Sequence, residues 1–275
     1  MFFKEGRYIS FLLLVLMASC SEYQKVLKNA DIKAKYDLAE KYYEAGDMKR
    51  ANRLLEQIAP KYVGKPQGER VMFFLADSYY QRADFNMSGY QFERFVKSYP
   101  SSDKIAEASF LGAKSFYELS PVYSLDQTDT DKALAKLQTF INAYPESEYF
   151  DEANAMAKEL TTKKEQKAFE IAMQFNKIGK FDFSFLTPAL AAFDNFVSDF
   201  PGSVFREEAL YYKFETATEL AMNSFESLKP KRFQEAKTAY GVLKKQFPDT
   251  KFASKADDLL EKINKELEGY PVDAK

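Results

Sequence analysis

The chain has 275 residues, a net charge of −2, 26 Phe and 18 Tyr, but no His and no Trp. Without histidine it can form no Ser-His or Cys-His nucleophile pair, no imidazole metal site and no side chain whose unperturbed titration falls near neutrality. The balanced charge gives no support for binding nucleic acid. Low counts of Gly and Pro, 10 each, favour helices over turns. We therefore expect a helical protein that is not an enzyme and uses no metal or cofactor.

The N-terminal segment has the layout of an export signal. Two basic residues precede an apolar run over residues 9–16, which is too short to span a bilayer core. The tetrapeptide Met-Ala-Ser-Cys at residues 17–20 resembles a lipobox, and Cys20 is the only cysteine. Resemblance to bacterial lipoproteins implies removal of residues 1–19 and attachment of a diacylglycerol and an N-acyl chain such as palmitate to Cys20. A plain secretory signal or an uncleaved helical anchor is the alternative.

One spacing recurs four times along the rest of the chain. A small residue is followed four positions later by an aromatic residue or Leu, seven later by another, and twelve later by Pro. Positions four and three apart share one face of a helix, the small residue allows close approach of a second helix, and proline cannot continue the helix. The copies are Ser88, Phe92, Phe95 and Pro100; Ala133, Leu137, Phe140 and Pro145; Ala189, Phe193, Phe196 and Pro201; and Ala236, Tyr240, Leu243 and Pro248. An earlier copy, Ala51, Leu55 and Ile58, carries its proline early, at Pro60.

Each copy follows another helical pattern, so the chain reads as helix, tight turn, helix and proline in succession. This unit resembles the tetratricopeptide repeat, although the intervals here exceed the usual length of about 34 residues. We predict an all-α solenoid of about five helix pairs plus a closing C-terminal helix. The expected bounds are an anchor linker at 20–30, repeats at roughly 31–64, 68–100, 103–145, 163–201 and 204–248 within a solenoid of 31–268, a closing helix at 250–268 and a tail at 269–275.

An acidic loop precedes the second helix of the third repeat. Asp126, Asp129 and Asp131 alternate in it as calcium ligands can, but the loop lacks the glycine and distal Glu of an EF-hand. We expect instead that Asp129 or Thr130 caps a helix beginning at Asp131, with the acidic charge favouring its positive end.

A lipoprotein signal followed by these repeats resembles the BamD family over essentially the whole chain. The most telling stretches are LDQTDTDKALAKLQTFINAYPESEYFDEA at 125–153 and KAFEIAMQFNKIGKFD at 167–182. The resemblance implies a lipid-anchored scaffold at the periplasmic face of the outer membrane, which catalyses no reaction. The implied partners are the periplasmic domains of a barrel-shaped insertase, unfolded outer-membrane proteins and other assembly lipoproteins, and not nucleic acid.

The first helix of each repeat should line a concave groove in such a stack. Aromatic and acidic side chains next to each other suit an extended peptide with apolar side chains and backbone donors. We therefore expect the first two or three repeats to bind a substrate segment, unless these aromatic rings form the core between repeats. The predicted groove residues are Tyr36, Glu40 and Tyr43 of repeat one and Phe73, Asp77 and Tyr80 of repeat two.

Two other roles keep the same anchor and fold. The protein could be a pilotin that guides a secretin pore, or a glycan-binding partner of a nutrient importer. Glycan sites often stack sugars on exposed Trp, which this chain lacks. An enzyme would need titratable groups that converge in a pocket, and the carboxylates here are dispersed along solvated helices.

Overall fold

A computed structural model of the chain describes residues 22–270. Within this range the structure is all-α and contains no strand. Residues 22–28 are helical, and a short 3-10 helix, Phe183–Phe185, precedes α8. The α-helices are α1 (Ile32–Glu44), α2 (Met48–Tyr62), α3 (Gly68–Gln81), α4 (Phe85–Ser98), α5 (Ile105–Glu118), α6 (Thr128–Ala143), α7 (Phe150–Gly179), α8 (Leu186–Asp199), α9 (Arg206–Met222), α10 (Lys229–Gln246) and α11 (Ala253–Leu267).

Helices α1 to α10 form five consecutive pairs, and α11 closes the series, which confirms the predicted fold class. The recurring small and apolar positions lie where the spacing predicts. In the four later copies every small residue is fully buried, and so is every aromatic or Leu position except Tyr240, which is partly buried. The four recurring prolines are exposed. Cys20 and the predicted signal at 1–19 lie outside the described residues, as do residues 271–275 of the predicted tail.

The recurring prolines mark helix ends, as predicted. Helices α4, α6, α8 and α10 each stop two residues before a proline. The intervening residue has φ between −132° and −126° in all four cases, because a following proline disfavours the helical backbone conformation. Pro60 differs: it lies inside the last turn of α2, which continues to Tyr62.

One predicted helix start is corrected by the structure. α6 begins at Thr128, three residues before Asp131, and its N-cap, Gln127, makes no side-chain capping bond. Asp129 and Asp131 both lie in the first turn, where their charge still favours the positive helix end. Thr130 does not cap the helix, because its buried hydroxyl donates to Gln127 Oε1 at 2.8 Å.

The expected start of the fourth repeat, at about 163, lies inside a long helix. α7 starts at Phe150 and runs for 30 residues. No Gly or Pro occurs between Phe150 and Ile178, so nothing in this segment interrupts a helix.

The chain divides into two compact units. Of the described residues, those at 22–121 and 127–158 form the first unit, and those at 122–126 and 159–270 form the second. In the first unit, Leu54, Leu55 and Ile58 of α2 are buried against α1 and α3. In the second unit, Phe214 of α9 and Phe233 of α10 are fully buried in one core cluster. Each unit thus has its own hydrophobic core.

The segment before α1 is also packed. Residues 22–28, part of the expected linker, are helical, and Tyr23 is buried against the first repeat. None of the helices within 22–270 is long and apolar enough to cross a membrane.

Candidate protein-binding face

The first helices of the repeats lie side by side in the first unit. α1 contacts α3 and α3 contacts α5, whereas no contact of comparable extent joins α2 to α4 or α4 to α6. In a stack of helix pairs, the layer with the closer spacing lies on the concave side. We call the surface of α1, α3 and α5 the inner face.

The junction of α1 and α3 is built around Tyr43. Its ring stacks on Phe74, with centroids 3.9 Å apart and planes 11° from parallel, and its hydroxyl donates to Asp77 Oδ2 at 2.6 Å. Burial, reinforced by this bond, raises the pKa of Tyr43 well above its ordinary value. Gln81 Nε2 donates a longer bond, 3.3 Å, to the other Asp77 oxygen.

Asp77 is 8% exposed and makes no ion pair with any residue in 22–270. Buried carboxylates are usually paired with a cation or saturated with hydrogen bonds. Here one phenol and one amide supply the donors. A carboxylate can accept about four hydrogen bonds, so Asp77 keeps acceptor capacity for a further donor.

Glu40 is held by a cation that the sequence analysis did not include. Arg70 Nη2 lies 2.5 Å from Glu40 Oε1 and 3.7 Å from Glu44 Oε1. The same guanidinium lies over the ring of Phe74, 5.0 Å from its centroid. The charge of Glu40 is thus neutralised by Arg70. The ring of Phe74 contacts both Arg70 and Tyr43.

Tyr80 lies where α3 approaches α5 and is partly buried, and burial raises its pKa. The nearby Lys114 opposes that shift, since its positive charge favours the ionised phenol. Lys114 Nζ also pairs with Glu152 Oε1 at 2.7 Å and lies 5.5 Å from the centroid of Phe110. This part of the inner face therefore carries both charges and an aromatic ring.

Two predicted groove residues serve mainly in packing. Tyr36 is partly buried, and its ring lies 5.5 Å from that of Tyr62. Phe73 is 4% exposed and meets Phe92 and Phe95 edge to face, at 5.8 and 5.5 Å. Phe73 is therefore a core residue, and the expectation that its ring faces a peptide does not hold.

The inner face includes residues that the sequence analysis missed. The missed residues are Arg70, Phe74 and Gln81, which share one side of α3 with the predicted Asp77, because the four residues are spaced by four, three and four positions. The same spacing can be seen in the sequence, but the sequence analysis placed Phe73 on the inner face, and the structure places its neighbour Phe74 there. Contacts of Arg70 and Phe74 with α1 show which of these two rings faces the neighbouring first helix.

Within the described residues there is no group of three or more Cys, Asp or Glu side chains placed to hold a metal ion. The acidic loop residues Asp126 and Asp131 both have interactions within the protein. Lys132 Nζ pairs with Asp129 at 2.9 Å.

Consecutive helix pairs closed by a C-terminal helix define a helical-repeat protein of the tetratricopeptide kind. The family model described as outer membrane lipoprotein, YfiO, matches residues 28–182 and 182–273. The chain therefore belongs to the YfiO family of outer membrane lipoproteins, which is the BamD-type family.

The solved structures that resemble the chain do so at low similarity. A Podosopora anserina kinesin light chain protein with nearly identical TPR-like repeats has 13% identity and a TM-score of 0.32, covering 87% of this chain and 97% of that one. Its Q17M form has 14% identity and the same TM-score, covering 85% and 93%. A computationally designed cyclic homo-oligomer has 14% identity and a TM-score of 0.23, covering 96% of both chains. No curated protein matches the chain.

Proposed function

We propose that this protein is a lipid-anchored scaffold at the periplasmic face of the outer membrane that takes part in assembling β-barrel proteins. It holds the periplasmic domains of the barrel insertase, receives unfolded outer-membrane chains and works beside other assembly lipoproteins, without catalysing a reaction. Membership of an outer membrane lipoprotein family supports the membrane and the assembly role. Cys20 is the proposed anchor.

The stack of Tyr43 on Phe74 beside Asp77 carries the proposal that the inner face binds peptide. An extended segment of an outer-membrane protein alternates apolar side chains with polar ones and leaves its backbone N–H groups unpaired. The two rings offer apolar contact area, and the spare acceptor capacity of Asp77 suits a backbone N–H. Tyr80 and Lys114 extend the same surface toward α5.

Binding at this face can be tested with a fluorescent peptide that copies the last strand of an outer-membrane barrel. Phe74→Ala removes one ring and Asp77→Asn removes the charge at nearly constant size. We expect each to weaken binding about tenfold, as the loss of one well-placed contact does. Tyr90→Ala is the matched control, because Tyr90 is 53% exposed on the second helix α4. If all variants bound the peptide with equal affinity and unchanged helicity, the inner face would not be the peptide-binding site.

The assembly role is tested by purifying tagged protein from mildly detergent-extracted membranes. Wild type and Cys20→Ala are compared, and the partners are identified by mass spectrometry. Recovery of a large barrel protein with periplasmic domains in near-equal amount supports the proposal, and loss of the membrane fraction in Cys20→Ala supports the anchor. Recovery of a secretin or a nutrient importer instead would assign the fold to the pilotin or importer role.

A further inference from the structure

A cavity of about 620 Å³ opens between the helical residues 22–28, α2 and the end of α3. We call it the basic pocket, because its walls carry more positive than negative charge. The chain as a whole has a net charge of −2, so this cluster is not a consequence of average composition. The charged wall residues are the cations Lys49, Arg50, Arg53 and Arg82 and the carboxylates Asp47 and Glu56.

Arg82 is held in place by a buried amide. Its Nη1 donates to Oδ1 of Asn52, a residue only 1% exposed. Asn52 Nδ2 in turn donates to Ser78 Oγ at 3.0 Å, and that hydroxyl donates to the carbonyl of Leu75 at 2.8 Å. Because each group in this chain has a fixed partner, the guanidinium of Arg82 is positioned before any ligand arrives.

Arg50 is also fixed at the pocket wall. Its Nη1 lies 3.0 Å from Asp47 Oδ2, and its guanidinium carbon lies 5.4 Å and 5.6 Å from the ring centroids of Tyr42 and Tyr23. The planar guanidinium thus combines an ion pair with cation–π contact, which restricts its rotation.

The remaining charges leave a positive excess. Lys49 and Arg53 are exposed, and neither forms an ion pair or hydrogen bond through its side chain with another residue between 22 and 270. Glu56 accepts a 2.5 Å bond from the hydroxyl of Tyr79. Guanidinium groups bind phosphate oxygens through paired, charge-assisted hydrogen bonds, so the pocket chemistry fits a phosphate-bearing anion.

We propose that the basic pocket binds the phosphate of an acidic membrane lipid headgroup. This rests on the proposed lipid anchor: Tyr23 lines the pocket and follows Cys20 by three residues, a span of at most about 11 Å even when fully extended. Headgroup regions are roughly 5–8 Å deep on each side of the bilayer. The anchor therefore keeps the pocket within reach of lipid phosphates, and headgroup binding orients the first repeat against the membrane.

The test uses the full mature lipidated protein in a neutral detergent, with short-chain phosphatidylglycerol, phosphatidylcholine of equal chain length and inorganic phosphate as probes. Native mass spectrometry measures the bound fraction. We expect phosphatidylglycerol to bind about tenfold more tightly than phosphatidylcholine, because it lacks the compensating choline charge. Inorganic phosphate should compete weakly.

The variant Lys49→Gln with Arg53→Gln removes two exposed charges and should lower phosphatidylglycerol affinity about tenfold or more. Lys245→Gln with Lys262→Gln is the matched control, since both are exposed in the second unit. Arg53→Gln alone serves as the gentler variant, and circular dichroism checks the fold of each.

Equal binding of the two lipids, or wild-type affinity in the pocket variant, would overturn the proposal. Inorganic phosphate that binds as tightly as the lipid would make the pocket a site for free phosphate and would also overturn it. Added lipid reports on the pocket independently of Cys20 modification, which the intact mass reveals separately. Failure of the anchor or of insertase binding is therefore distinguishable from failure of the pocket.

Discussion

Thr250 Oγ1 donates a hydrogen bond of 2.6 Å to Glu207 Oε1, which ties the turn after α10 to the start of α9. The same hydroxyl accepts the backbone N–H of Phe252. In each repeat that shows this bond, the hydroxyl residue stands two positions after the recurring proline. The equivalent bonds are Ser203 to Glu165 at 2.9 Å and Ser102 to Glu69 at 2.5 Å.

Replacing Thr250 by Val should remove this tie at constant shape. Thr250 is 5% exposed, and a hydrogen bond to a charged acceptor contributes about 1.5–3 kcal/mol. Because Glu207 is partly exposed, we expect a loss of about 1–2 kcal/mol in the free energy of unfolding, measured by urea denaturation. Thr238→Val is the matched control, because exposed Thr238 donates only to the carbonyl of Gln234 in its own helix. Equal losses in the two variants would contradict the role of the tie.

The contribution of this tie should depend on pH. The Thr250 hydroxyl, together with the N–H and charge of Lys251, lowers the pKa of Glu207 below its ordinary 4.5. A carboxylate with a lowered folded-state pKa stabilises the protein above its unfolded pKa and loses that effect as the pH falls through the folded value. The stability difference between wild type and Thr250→Val should therefore be full at pH 7 and shrink below about pH 4.5. A difference that stays constant down to pH 3 would show that the carboxylate charge is not involved.

Phe73 belongs to a second recurring contact. Four positions after each recurring proline, a side chain covers a ring on the first helix of the preceding repeat. In the first such contact the covering group is the ammonium of Lys104, 4.4 Å from the centroid of Phe73. In the others it is a stacked ring: Tyr149 on Phe110 at 4.6 Å, Phe205 on Phe169 at 5.3 Å and Phe252 on Tyr211 at 4.2 Å.

The main effect of Phe73→Ala should therefore be a loss of stability, and not a direct loss of peptide binding. Truncating a buried Phe costs about 3–5 kcal/mol. We expect the free energy of unfolding of the first unit to fall by this amount, measured by urea denaturation monitored by circular dichroism. Tyr90→Ala, an exposed aromatic truncation in the same unit, should change stability by less than about 0.5 kcal/mol. If Phe73→Ala kept its stability and lost only peptide affinity, Phe73 would be a peptide-binding residue and not a core residue.

The spacing of small residue, ring, ring and proline predicted the second helices well, because burial of one helix face leaves a direct mark on sequence. The inner face was harder to predict. Adjacent helix positions differ by about 100° in direction, and the sequence alone does not tell whether Phe73 or Phe74 meets the neighbouring helix. The bond from Tyr43 to Asp77 joins residues 34 positions apart and depends on how α1 and α3 are aligned.

Other features had a signal that the sequence analysis did not use. The hydroxyl two positions after the proline is visible as PSS, PES, PGS and PDT in the four later copies. Its partner Glu lies 33 to 43 residues earlier, and the variable separation conceals the pairing. Likewise, the continuity of α7 follows from the absence of a helix breaker, although the expected bounds place the start of a repeat inside it.

At Gly68 the start of α3 lies close to the end of α2. A Cβ at this position would lie 2.3 Å from the carbonyl oxygen of Tyr62 and 2.7 Å from the hydroxyl of Tyr99. Backbone atoms cannot move aside cheaply, so Gly68→Ala should lower the free energy of unfolding by about 1–3 kcal/mol. Gly241→Ala is the control: Gly241 lies in α10 with nothing within 4 Å of its Cβ position, and we expect a gain of about 0.5–1 kcal/mol. Opposite signs in thermal or urea unfolding are the expected result, and a stabilised Gly68→Ala protein would contradict the close approach.

Buried phenols should make the fold sensitive to alkali. Burial, followed by the hydrogen bond to Glu56, raises the pKa of Tyr79 to about 12, and burial together with the charge of Glu215 raises the pKa of Tyr211 to about 12. In the unfolded chain both ionise near 10. The folded state then retains protons that the unfolded state has lost, so the stabilisation from these groups is complete below pH 10 and disappears as the pH rises through about 12. Urea midpoints measured from pH 8 to 12 should fall, with the tyrosinate absorbance following unfolding. Tyr211→Phe should show a smaller decrease over this range, because one of the raised groups is gone; an unchanged pH profile in that variant would rule out ionisation of Tyr211 as a cause.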